Sequence, residues 1–326
     1  MRAAASFPRL VGDVGGTHAR FGIVLDAAGP VQSVARYRCD QFATLWDGLQ
    51  HYLAEHAPAK PRACALGVAT PITGDRVELT NNAWSFSIDD LQKRLGVERL
   101  LVLNDFSALA LSIPMLPASE LRQVGGGAPV AGAPIGLIGP GTGLGVSGLL
   151  PMPGGHGQVA IGGEGGHVTL SSFDREEAAV LQWIHQAFGH VSAERVLSGP
   201  GIENLYQAVC AVAGETCPRL TAQHITEAAL ARSDDACVKT LDMFCSLLGN
   251  VAGNVALTLG ARGGVYIGGG IVPRLGDWFD RSQFRECFEA KGRFREYLLA
   301  IPTYVVQSDV SPALIGASRA LDRPFD

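Results

Sequence analysis

The chain has 326 residues, of which 47% are hydrophobic, and it carries a formal net charge of −5. A chain of this length and apolar content has room for a sizeable core and for two domains. No stretch is rich in Lys and Arg, which argues against nucleic acid as a partner, and the apolar stretches are broken well short of a membrane span.

Seven cysteines lie at irregular spacing, at positions 39, 64, 210, 217, 237, 245 and 287. None forms a C-x-x-C pair, so the spacing typical of a zinc site or a redox motif is absent. We therefore predict reduced, buried thiols, as in a cytosolic protein. The first ten residues contain no apolar stretch long enough for a signal peptide, which also predicts a cytoplasmic protein without a membrane partner.

The first elements form a hairpin around a glycine-rich turn. Leu10–Val14 and Phe21–Leu25 are predicted as its strands, and the segment Gly12–Thr17 reads GDVGGT. Such a turn offers unobstructed backbone N–H groups and a hydroxyl, and Asp13 adds a carboxylate at the strand end. Together these groups could hold a phosphate and its magnesium ion. Taken alone, the loop is better explained as an ordinary hairpin with a glycine turn.

A helix is predicted from the apolar spacing between Phe42 and Leu53, followed by a short strand and a second helix over Ile88–Leu95. The run Leu100–Leu103 then predicts a central strand buried on both faces. Asn104 and Asp105 come directly after it. Ligands of open parallel sheets bind outside the carboxyl ends of the strands, which favours a catalytic Asp105. The alternative is that Asp105 only caps the helix that follows.

Residues 114–134 contain three consecutive glycines and several prolines, and they are predicted to form a loop near a domain crossing. Ile135–Val146 then repeats the earlier pattern of strand, Gly-Thr turn and returning strand, with Gly141-Thr142-Gly143 at the turn. This repetition suggests an internal duplication. Residues 143–148 also fit G-x-G-x-x-G, but the Pro-rich residues 149–154 cannot form the helix that a dinucleotide fingerprint needs. The Walker pattern is absent as well.

Two further glycine-rich segments are candidates for ligand binding. Glu164 and His167 are embedded in the glycines of residues 162–167, where little packing accounts for them, although a polar surface loop is the alternative. Gly268–Gly270 lies between a strand and a possible helix start, so it could bind the phosphate or base edge of a nucleotide.

The remaining elements are mostly helical. Asp174 is predicted to open a helix with Glu177 in a capping box. A break at Ser198–Gly201 precedes helices up to residue 260. A last strand and a C-terminal helix, over Pro312–Leu321, complete the chain.

The motifs follow one another in a recognisable order: Asp-x-Gly-Gly-Thr, a strand ending in Asn-Asp, Gly-Thr-Gly, Glu-Gly-Gly-His and Gly-Gly-Gly. In this the chain resembles the bacterial ATP-dependent glucokinase family of the actin/hexokinase-like ATPase superfamily. The resemblance extends from about Leu10 to Ala317, and its longest matching stretch is His190–Gly201.

The resemblance implies an α/β, two-domain actin/hexokinase-like (ribonuclease H-like) fold with a cleft between the domains. Residues 1–115 with 307–326 would form the small domain, and residues 116–306 the large one. The implied activity is transfer of the γ-phosphate of ATP to the 6-hydroxyl of D-glucose, giving glucose 6-phosphate and ADP in glycolysis. A cytoplasmic homodimer is implied, with no nucleic-acid partner.

The resemblance also implies roles for individual residues. Asp105 would be the catalytic base, and Asp13 would hold Mg²⁺ through water. The sugar hydroxyls would be bound by Asn104, Asp105, Glu164, His167 and Glu194. ATP would be bound by Gly12, Asp13, Val14, Gly15, Gly16, Thr17, Gly141, Thr142, Gly143, Gly268, Gly269 and Gly270.

Three alternatives remain open from the sequence. The first is a kinase for another hexose, because hydroxyl stereochemistry cannot be read from one sequence. The second is a non-catalytic sugar-sensing protein of the same fold, although about ten residues before the first strand are too few for a helix-turn-helix. The third is an actin-like filament or chaperone ATPase, which has no need of Glu164 and His167.

Overall fold

The computed structural model describes residues 6–79, 82–152, 154, 157–308 and 310–322. The chain divides into two compact units. The first comprises Met1–Pro117, Gly157–Gly162 and Ser308–Asp326, and the second Ala118–His156 and Gly163–Gln307. The predicted domain division differs at residues 116–117, 157–162 and 307, and as a statement about domains it stays a prediction.

The strands are β1 (Arg9–Val14), β2 (His18–Val24), β3 (Gln32–Arg38), β4 (Ala63–Val68), β5 (Arg76–Glu78), β6 (Ser85–Ser87), β7 (Arg99–Asn104), β8 (Leu121–Val124), β9 (Ile135–Pro140), β10 (Leu144–Pro151), β11 (Gln158–Ile161), β12 (Val265–Ile267) and β13 (Thr303–Val306). The helices are α1 (Leu45–His56), α2 (Ile88–Leu95), α3 (Asp105–Ser112), α4 (Arg175–Phe188), α5 (Gly199–Val212), α6 (Ala222–Leu230), α7 (Asp235–Leu259), α8 (Asp277–Arg281), α9 (Phe284–Glu289), α10 (Arg295–Leu299) and α11 (Pro312–Ala320).

The first unit is built on a sheet in the order β3-β2-β1-β4-β7. β1 pairs antiparallel with β2 and parallel with β4, and β4 pairs parallel with β7. In the second unit the order is β10-β9-β12-β13-β8, with β9 antiparallel to β10 and parallel to β12. The arrangement β2-β1-β4-β7 therefore recurs as β10-β9-β12-β13, as the internal duplication predicts.

The C-terminal helix α11 belongs to the first unit, where it packs on α3 and β1. Arg9 is 2% exposed and donates to the carbonyl of Ser318 at 2.8 Å and to Asp322 at 2.7 Å. At Gly316 a Cβ atom would lie 1.7 Å from the carbonyl oxygen of Ala108, so only glycine allows α11 and α3 to approach this closely. These contacts fix α11 against the strand and the helix that carry Asp13 and Asp105.

Helix α7 is the longest element, and by length and composition it could cross a membrane. In the structure 83% of its apolar window is buried inside the protein. Its neighbours α5, α6 and α9 cover it, and Phe244 and Leu248 belong to the core of the second unit. The apolar surface of α7 is therefore explained by protein packing.

Residues 100–103 form a strand, as predicted, but the prediction that it is central and buried on both faces is wrong. β7 lies at the edge of its sheet, and only Leu100 is buried, whereas Leu101, Val102 and Leu103 are half-buried. The apolar run reflects the helices α2 and α3 that pack on β7. A run of aliphatic residues indicates a strand whose faces are covered, but it does not reveal whether both edges are paired.

Two segments predicted to be irregular contain regular structure. Within the predicted loop over residues 114–134, Leu121–Val124 forms β8, which pairs antiparallel with β13. Ser198–Gly201, predicted as a break, is the start of α5, where Ser198 caps the helix by accepting the N–H of Gly201. A four-residue strand and a Gly-Pro-Gly first turn carry too little local pattern for either to be recognised.

The N-terminus of α4 confirms half of the predicted capping box. Asp174 is the N-cap and accepts the N–H of Glu177 at 2.8 Å. The Glu177 carboxylate accepts instead from the backbone of Phe173 and from the hydroxyl of Ser246. Burial raises the pKa of this glutamate.

The prediction that all seven cysteines are reduced is wrong for one pair. Cys210 and Cys217 form a disulfide, with their Cα atoms 6.1 Å apart. After α5 the chain turns back, and the N–H of Glu215 donates to the carbonyl of Cys210 at 2.9 Å, which brings Cys217 close. The other five cysteines are free and buried, as predicted.

Candidate active site

The first glycine–threonine loop connects β1 and β2, as predicted. The strands close at the pair Val14 and Ala19, and inside the loop the N–H of Gly15 donates to the carbonyl of His18 at 2.9 Å. Thr17 is exposed and its carbonyl accepts the N–H of Cys39 at 2.9 Å. The backbone of the loop is thus held by Cys39, which lies outside the loop, while the threonine side chain faces solvent.

Asp13 lies at the carboxyl end of β1 and is held by two side chains. Its Oδ2 accepts from Nη1 of Arg20 at 3.0 Å and from the hydroxyl of Ser311 at 2.7 Å. Arg20 lies opposite Asp13 in the β1–β2 register, whereas Ser311 comes from the start of α11. Both contacts use Oδ2, so Oδ1 takes part in neither.

The parallel strands of the first unit bring the two predicted carboxylates to one edge of the sheet. Val14 on β1 is level with Val68 on β4, which is level with Asn104 on β7. Asp13 and Asp105 therefore both lie at the carboxyl ends of strands that are two positions apart in the sheet. At the usual spacing of neighbouring strands, the two strand ends are about 10 Å apart.

The structure shows which residue caps the helix α3, and so tests the interpretation of Asp105 as a cap. Asn104 is the N-cap of α3, because its Oδ1 accepts the N–H groups of Phe106 at 2.9 Å and Ser107 at 3.2 Å. Asp105 is the first residue of the helix, and its Oδ1 accepts the N–H of Phe106 at 2.8 Å. The alternative that Asp105 is the cap is therefore wrong.

The cap also determines what Asn104 offers to a ligand. With Oδ1 engaged by two backbone N–H groups, the amide presents its Nδ2 hydrogens as donors. A donor suits the lone pairs of a sugar hydroxyl. Asn104 and Asp105 thus place a donor and an acceptor side by side at the end of β7.

The second glycine–threonine loop connects β9 and β10, and Glu194 holds it in place. The strands close at Pro140 and Leu144, and Oε2 of Glu194 accepts the N–H of Leu144 at 2.8 Å. The N–H of Gly199, the first residue of α5, donates to the carbonyl of Gly141 at 2.8 Å. The loop is therefore fixed by Glu194 and by the start of α5, while Thr142 stays exposed.

Glu164 and His167 lie next to Glu194 in the second unit. Gly165–His167 forms a short 3-10 turn that Glu164 precedes, and the N–H of His167 donates to the carbonyl of Glu164 at 3.0 Å. The N–H of Glu194 donates to the carbonyl of Gly166 at 2.8 Å. Nε2 of His167 lies 3.9 Å from Oε1 of Glu194, and both side chains are accessible. Carboxylate and imidazole groups can bind hydroxyls as acceptors and donors together.

The third predicted nucleotide segment lies beside the second loop. Gly268–Gly270 follows β12, and the N–H of Gly268 donates to the carbonyl of Ile138 on β9 at 2.8 Å. The N–H of Ile271 donates to the carbonyl of Pro140, which directly precedes Gly141, at 3.4 Å. The short 3-10 helix over Val272–Leu275 follows in place of an α-helix. Two of the three predicted nucleotide segments thus meet at one end of the second sheet.

The electrostatic surroundings of the first loop are basic. Three arginines of β2 and β3, namely Arg20, Arg36 and Arg38, face His18, and Asp40 opposes them. Burial and these arginines lower the pKa of His18 below its usual value of 6.5. No lysine occurs in either glycine–threonine loop. Arg20 and Arg38 are paired with Asp13 and Asp40, and Arg36 adds a further positive charge near His18.

The donor set of the first loop fits a magnesium ion held mainly by a nucleotide. Among the described residues there is no cluster of three or more His, Cys, Asp or Glu that could form a complete metal site. Mg²⁺ commonly keeps several waters and is bound by one or two carboxylates together with substrate phosphates. Asp13, with Oδ2 held and Oδ1 outside those bonds, offers one such carboxylate.

Each unit therefore brings together part of the predicted site. The first contains Asp13, the loop Gly12–Thr17, Asn104 and Asp105, and the second contains Gly141–Gly143, Gly268–Gly270, Glu164, His167 and Glu194. Sequence reasoning missed Arg20 and Ser311. The hairpin register could have revealed Arg20, but no local signal connects Ser311 with Asp13.

Comparisons with known proteins agree over nearly the whole chain. The glucokinase family profile matches residues 10–324. The glucokinase of Aromatoleum aromaticum is 53% identical over 318 residues, covering 97% of this chain and 95% of that protein. The glucokinase of Chromobacterium violaceum is 48% identical over 316 residues, covering 97% and 90%.

A solved structure matches just as fully. The crystal structure of a glucokinase from an Antarctic psychrotroph is 36% identical, with a TM-score of 0.87, and the match covers 96% of this chain and 98% of that one. Together with the two mixed sheets, this confirms the predicted actin/hexokinase-like α/β fold.

Proposed function

The chain belongs to the glucokinase family, and we propose that it transfers the γ-phosphate of ATP to the 6-hydroxyl of D-glucose, giving glucose 6-phosphate and ADP. The observation that carries the proposal is the position of Asp105 at the carboxyl end of β7, next to a helix that Asn104 already caps. The Asp105 carboxylate accepts the N–H of Phe106 through Oδ1, but the cap itself is Asn104, and the carboxyl end of a strand is where ligands of such sheets bind.

In this proposal Asp105 is the general base. It orients the 6-hydroxyl and accepts its proton late, because a sugar hydroxyl is a poor acid. The amide of Asn104 donates to a sugar hydroxyl, since its oxygen is engaged in the helix cap. Glu164, His167 and Glu194 bind further hydroxyls. Because Oε2 of Glu194 already accepts the N–H of Leu144, Oε1 is the oxygen that faces the sugar.

Phosphoryl transfer depends mainly on positioning and on stabilising negative charge. The segments Gly12–Thr17, Gly141–Gly143 and Gly268–Gly270 are proposed to hold the nucleotide phosphates through their remaining backbone N–H groups and the hydroxyls of Thr17 and Thr142. The N–H groups of Gly15, Gly141 and Gly268 already donate within the protein. Mg²⁺, when bound with ATP, would neutralise part of the phosphate charge, and Asp13 would hold it through water. Arg20 lies next to this carboxylate and adds positive charge.

Other parts of the proposal rest on the resemblance to the family. They are a cytoplasmic homodimer that acts in glycolysis, and a small domain of residues 1–115 with 307–326 beside a large domain of residues 116–306. The five free, buried cysteines suit a reducing compartment, whereas the Cys210–Cys217 disulfide does not.

The test of the proposal is Asp105→Asn. We expect kcat to fall by about 10²–10⁴-fold, the usual cost of losing a general base, while glucose binding by calorimetry stays measurable. The chain offers a matched control in Asp235→Asn. Asp235 is the first residue of α7 and follows the cap Asp234, as Asp105 follows Asn104 in α3. The control should keep wild-type kcat.

Turnover above about a tenth of wild-type kcat in Asp105→Asn would contradict the role as base, because loss of a base costs at least about 10²-fold.

The sugar itself is tested by an assay coupled to ADP release across a panel of hexoses. A different preferred hexose would support the first alternative. Binding of sugar without turnover of any hexose would support a sugar-sensing protein.

A further inference from the structure

Ser311 occupies the N-cap position of α11 but does not cap it. A serine at this position normally accepts a backbone N–H from the first turn of its helix. At the N-cap positions of α1, α2, α5 and α6, the side-chain hydroxyl does accept such an N–H. These residues are Thr44, Ser87, Ser198 and Thr221. Ser311 makes no such bond, so its side chain has a different partner.

That partner is the carboxylate of Asp13, 298 residues away in sequence. The Ser311 hydroxyl donates to Oδ2 at 2.7 Å, and Nη1 of Arg20 donates to the same oxygen at 3.0 Å. The Asp13 side chain is 15% exposed. Two donors from different directions fix the rotation of the carboxylate and keep its second oxygen, Oδ1, out of both bonds.

Ser311 is held firmly enough to act in this way. The helix it precedes is tied to β1 by the bonds of Arg9 to Ser318 and Asp322, and it packs on α3 at Gly316. The helix α11 therefore supports the strand that ends at Asp13 and the helix that begins at Asp105. A serine at its N-terminus has a defined position relative to both carboxylates.

We propose that Ser311 is a positioning residue that keeps Oδ1 of Asp13 available to a water molecule of nucleotide-bound magnesium. The inference rests on the proposed function. Arg20 alone would not do the same, because an arginine and a carboxylate readily pair through both oxygens. Without the hydroxyl, the carboxylate can rotate so that both its oxygens face Arg20, and Oδ1 is then occupied.

Removing the Ser311 hydroxyl should therefore reduce the amount by which Mg²⁺ tightens nucleotide binding. The affinity for the nucleotide without Mg²⁺ should stay the same. The experiment measures the Kd of AMPPNP by calorimetry on the full chain, with and without Mg²⁺. For Ser311→Ala we expect wild-type affinity without Mg²⁺, and about a tenfold loss in the tightening that Mg²⁺ gives the wild type. About tenfold is the lower end of what one hydrogen bond to a charged group contributes.

Two kinds of variant separate positioning from a merely structural role. Ser311→Thr keeps the hydroxyl and should restore the effect of Mg²⁺, whereas Ser311→Val has the shape of threonine without the hydroxyl and should behave like alanine. This pair carries the test if Ser311→Ala does not fold. Thr221→Ala removes a hydroxyl that does cap its helix. It should lower the melting temperature and leave the Mg²⁺ effect unchanged.

The proposal would be overturned if Mg²⁺ tightened AMPPNP binding to Ser311→Ala or Ser311→Val as much as to the wild type. It would also be overturned if Ser311→Thr lost this tightening. Failure of the proposed function looks different. A wild-type protein that binds AMPPNP more tightly with Mg²⁺ but phosphorylates no hexose would refute the kinase and leave the role of Ser311 standing. If Mg²⁺ does not change the affinity of the wild-type protein for AMPPNP, the role of Ser311 is refuted.

Discussion

The first glycine–threonine loop lies among arginines, whereas the second lies beside a carboxylate. Arg20, Arg36 and Arg38, on the strands β2 and β3, act on His18 at the end of the first loop, and two of them are paired, Arg20 with Asp13 and Arg38 with Asp40. The second loop has Glu194 as its neighbour, which accepts the N–H of Leu144. The loops share a sequence pattern and a place in equivalent sheets, but their charged neighbours differ. Arginines, two of them paired with carboxylates, lie near the first loop, and the carboxylate of Glu194 lies beside the second.

The two loops are also held by different parts of the chain. Side chains hold the end of β1, through Arg20 and Ser311 on Asp13. The second loop is held by one side chain, Glu194 on the N–H of Leu144, and by backbone groups, namely the N–H of Gly199 on Gly141 and the turn that contains Gly166. A duplicated motif thus fixes the backbone shape of both proposed phosphate loops, while the surrounding residues determine the charge near each loop and the contacts that hold it. We expect the first loop to attract phosphate and the second to position it.

Among changes that test the contrast between the loops, the largest effect is expected from breaking the backbone support of the second loop with Gly166→Ala. A Cβ atom at this position would lie 2.1 Å from the carbonyl oxygen of Leu144, so the turn must move away from the start of β10. A displacement of about 1 Å can cost about 10²-fold in rate, and forced packing costs about 1–3 kcal/mol of stability. We expect kcat/KM for glucose to fall by about 10²-fold, with a lower melting temperature.

The same turn supplies the matched control. A Cβ atom at Gly163 would meet no atom within 4 Å, so Gly163→Ala should keep wild-type stability and kcat/KM. If Gly166→Ala kept wild-type kcat/KM for glucose, the turn and the second loop would not act as one unit. The contrast drawn between the two loops would then lose its structural basis.

Local sequence patterns were sufficient to predict those parts of the site whose residues lie within a few positions of each other in the chain. Alternation and turn chemistry predict both glycine–threonine hairpins, and the change from aliphatic to polar residues predicts the end of β7 at Asn104. The position of β7 at the edge of its sheet depends on partners elsewhere in the chain. So do the pairing of β8 with β13 and the contact of Ser311 with Asp13. A single sequence does not record such distant partners.

A smaller effect is expected from removing the two threonine hydroxyls. Within the described part of the chain, neither the Thr17 nor the Thr142 side chain has a hydrogen bond, and both residues are exposed, so Val at either position should fold normally. Losing a hydrogen bond to a charged phosphate should raise the KM for ATP by about tenfold in each variant. Glucose affinity should change little.

The comparison of Thr17→Val with Thr142→Val sharpens the contrast between the loops. Both variants are measured for the KM of ATP, for glucose binding and for melting temperature. A variant that weakened glucose binding alone would show that its loop serves the sugar instead of the nucleotide. The two loops would then differ in function as well as in surroundings.

The smallest effect concerns protonation of His18, next to the first loop. Burial and the charges of Arg36, Arg20 and Arg38 lower the pKa of His18 below 6.5, while Asp40 opposes them. A lowered pKa means that the folded protein binds this proton less tightly than the unfolded chain. Stability should therefore fall as the pH drops below 6.5 towards the folded-state pKa, and His18→Gln should remove that part of the pH dependence. The change is small because the side chain is partly exposed.

The direct measurement is the NMR titration of the His18 ring, assigned with His18→Gln. In the free protein its midpoint should lie below 6.5, and Mg²⁺ with AMPPNP should move it upward, because phosphates near the first loop favour the charged imidazole. A midpoint at or above 6.5 would contradict the basic surroundings. A midpoint that the nucleotide does not move would place the phosphates away from the first loop. Since Gly141-Thr142-Gly143 contains no titrating side chain, the shift reports on the first loop and separates it from the second.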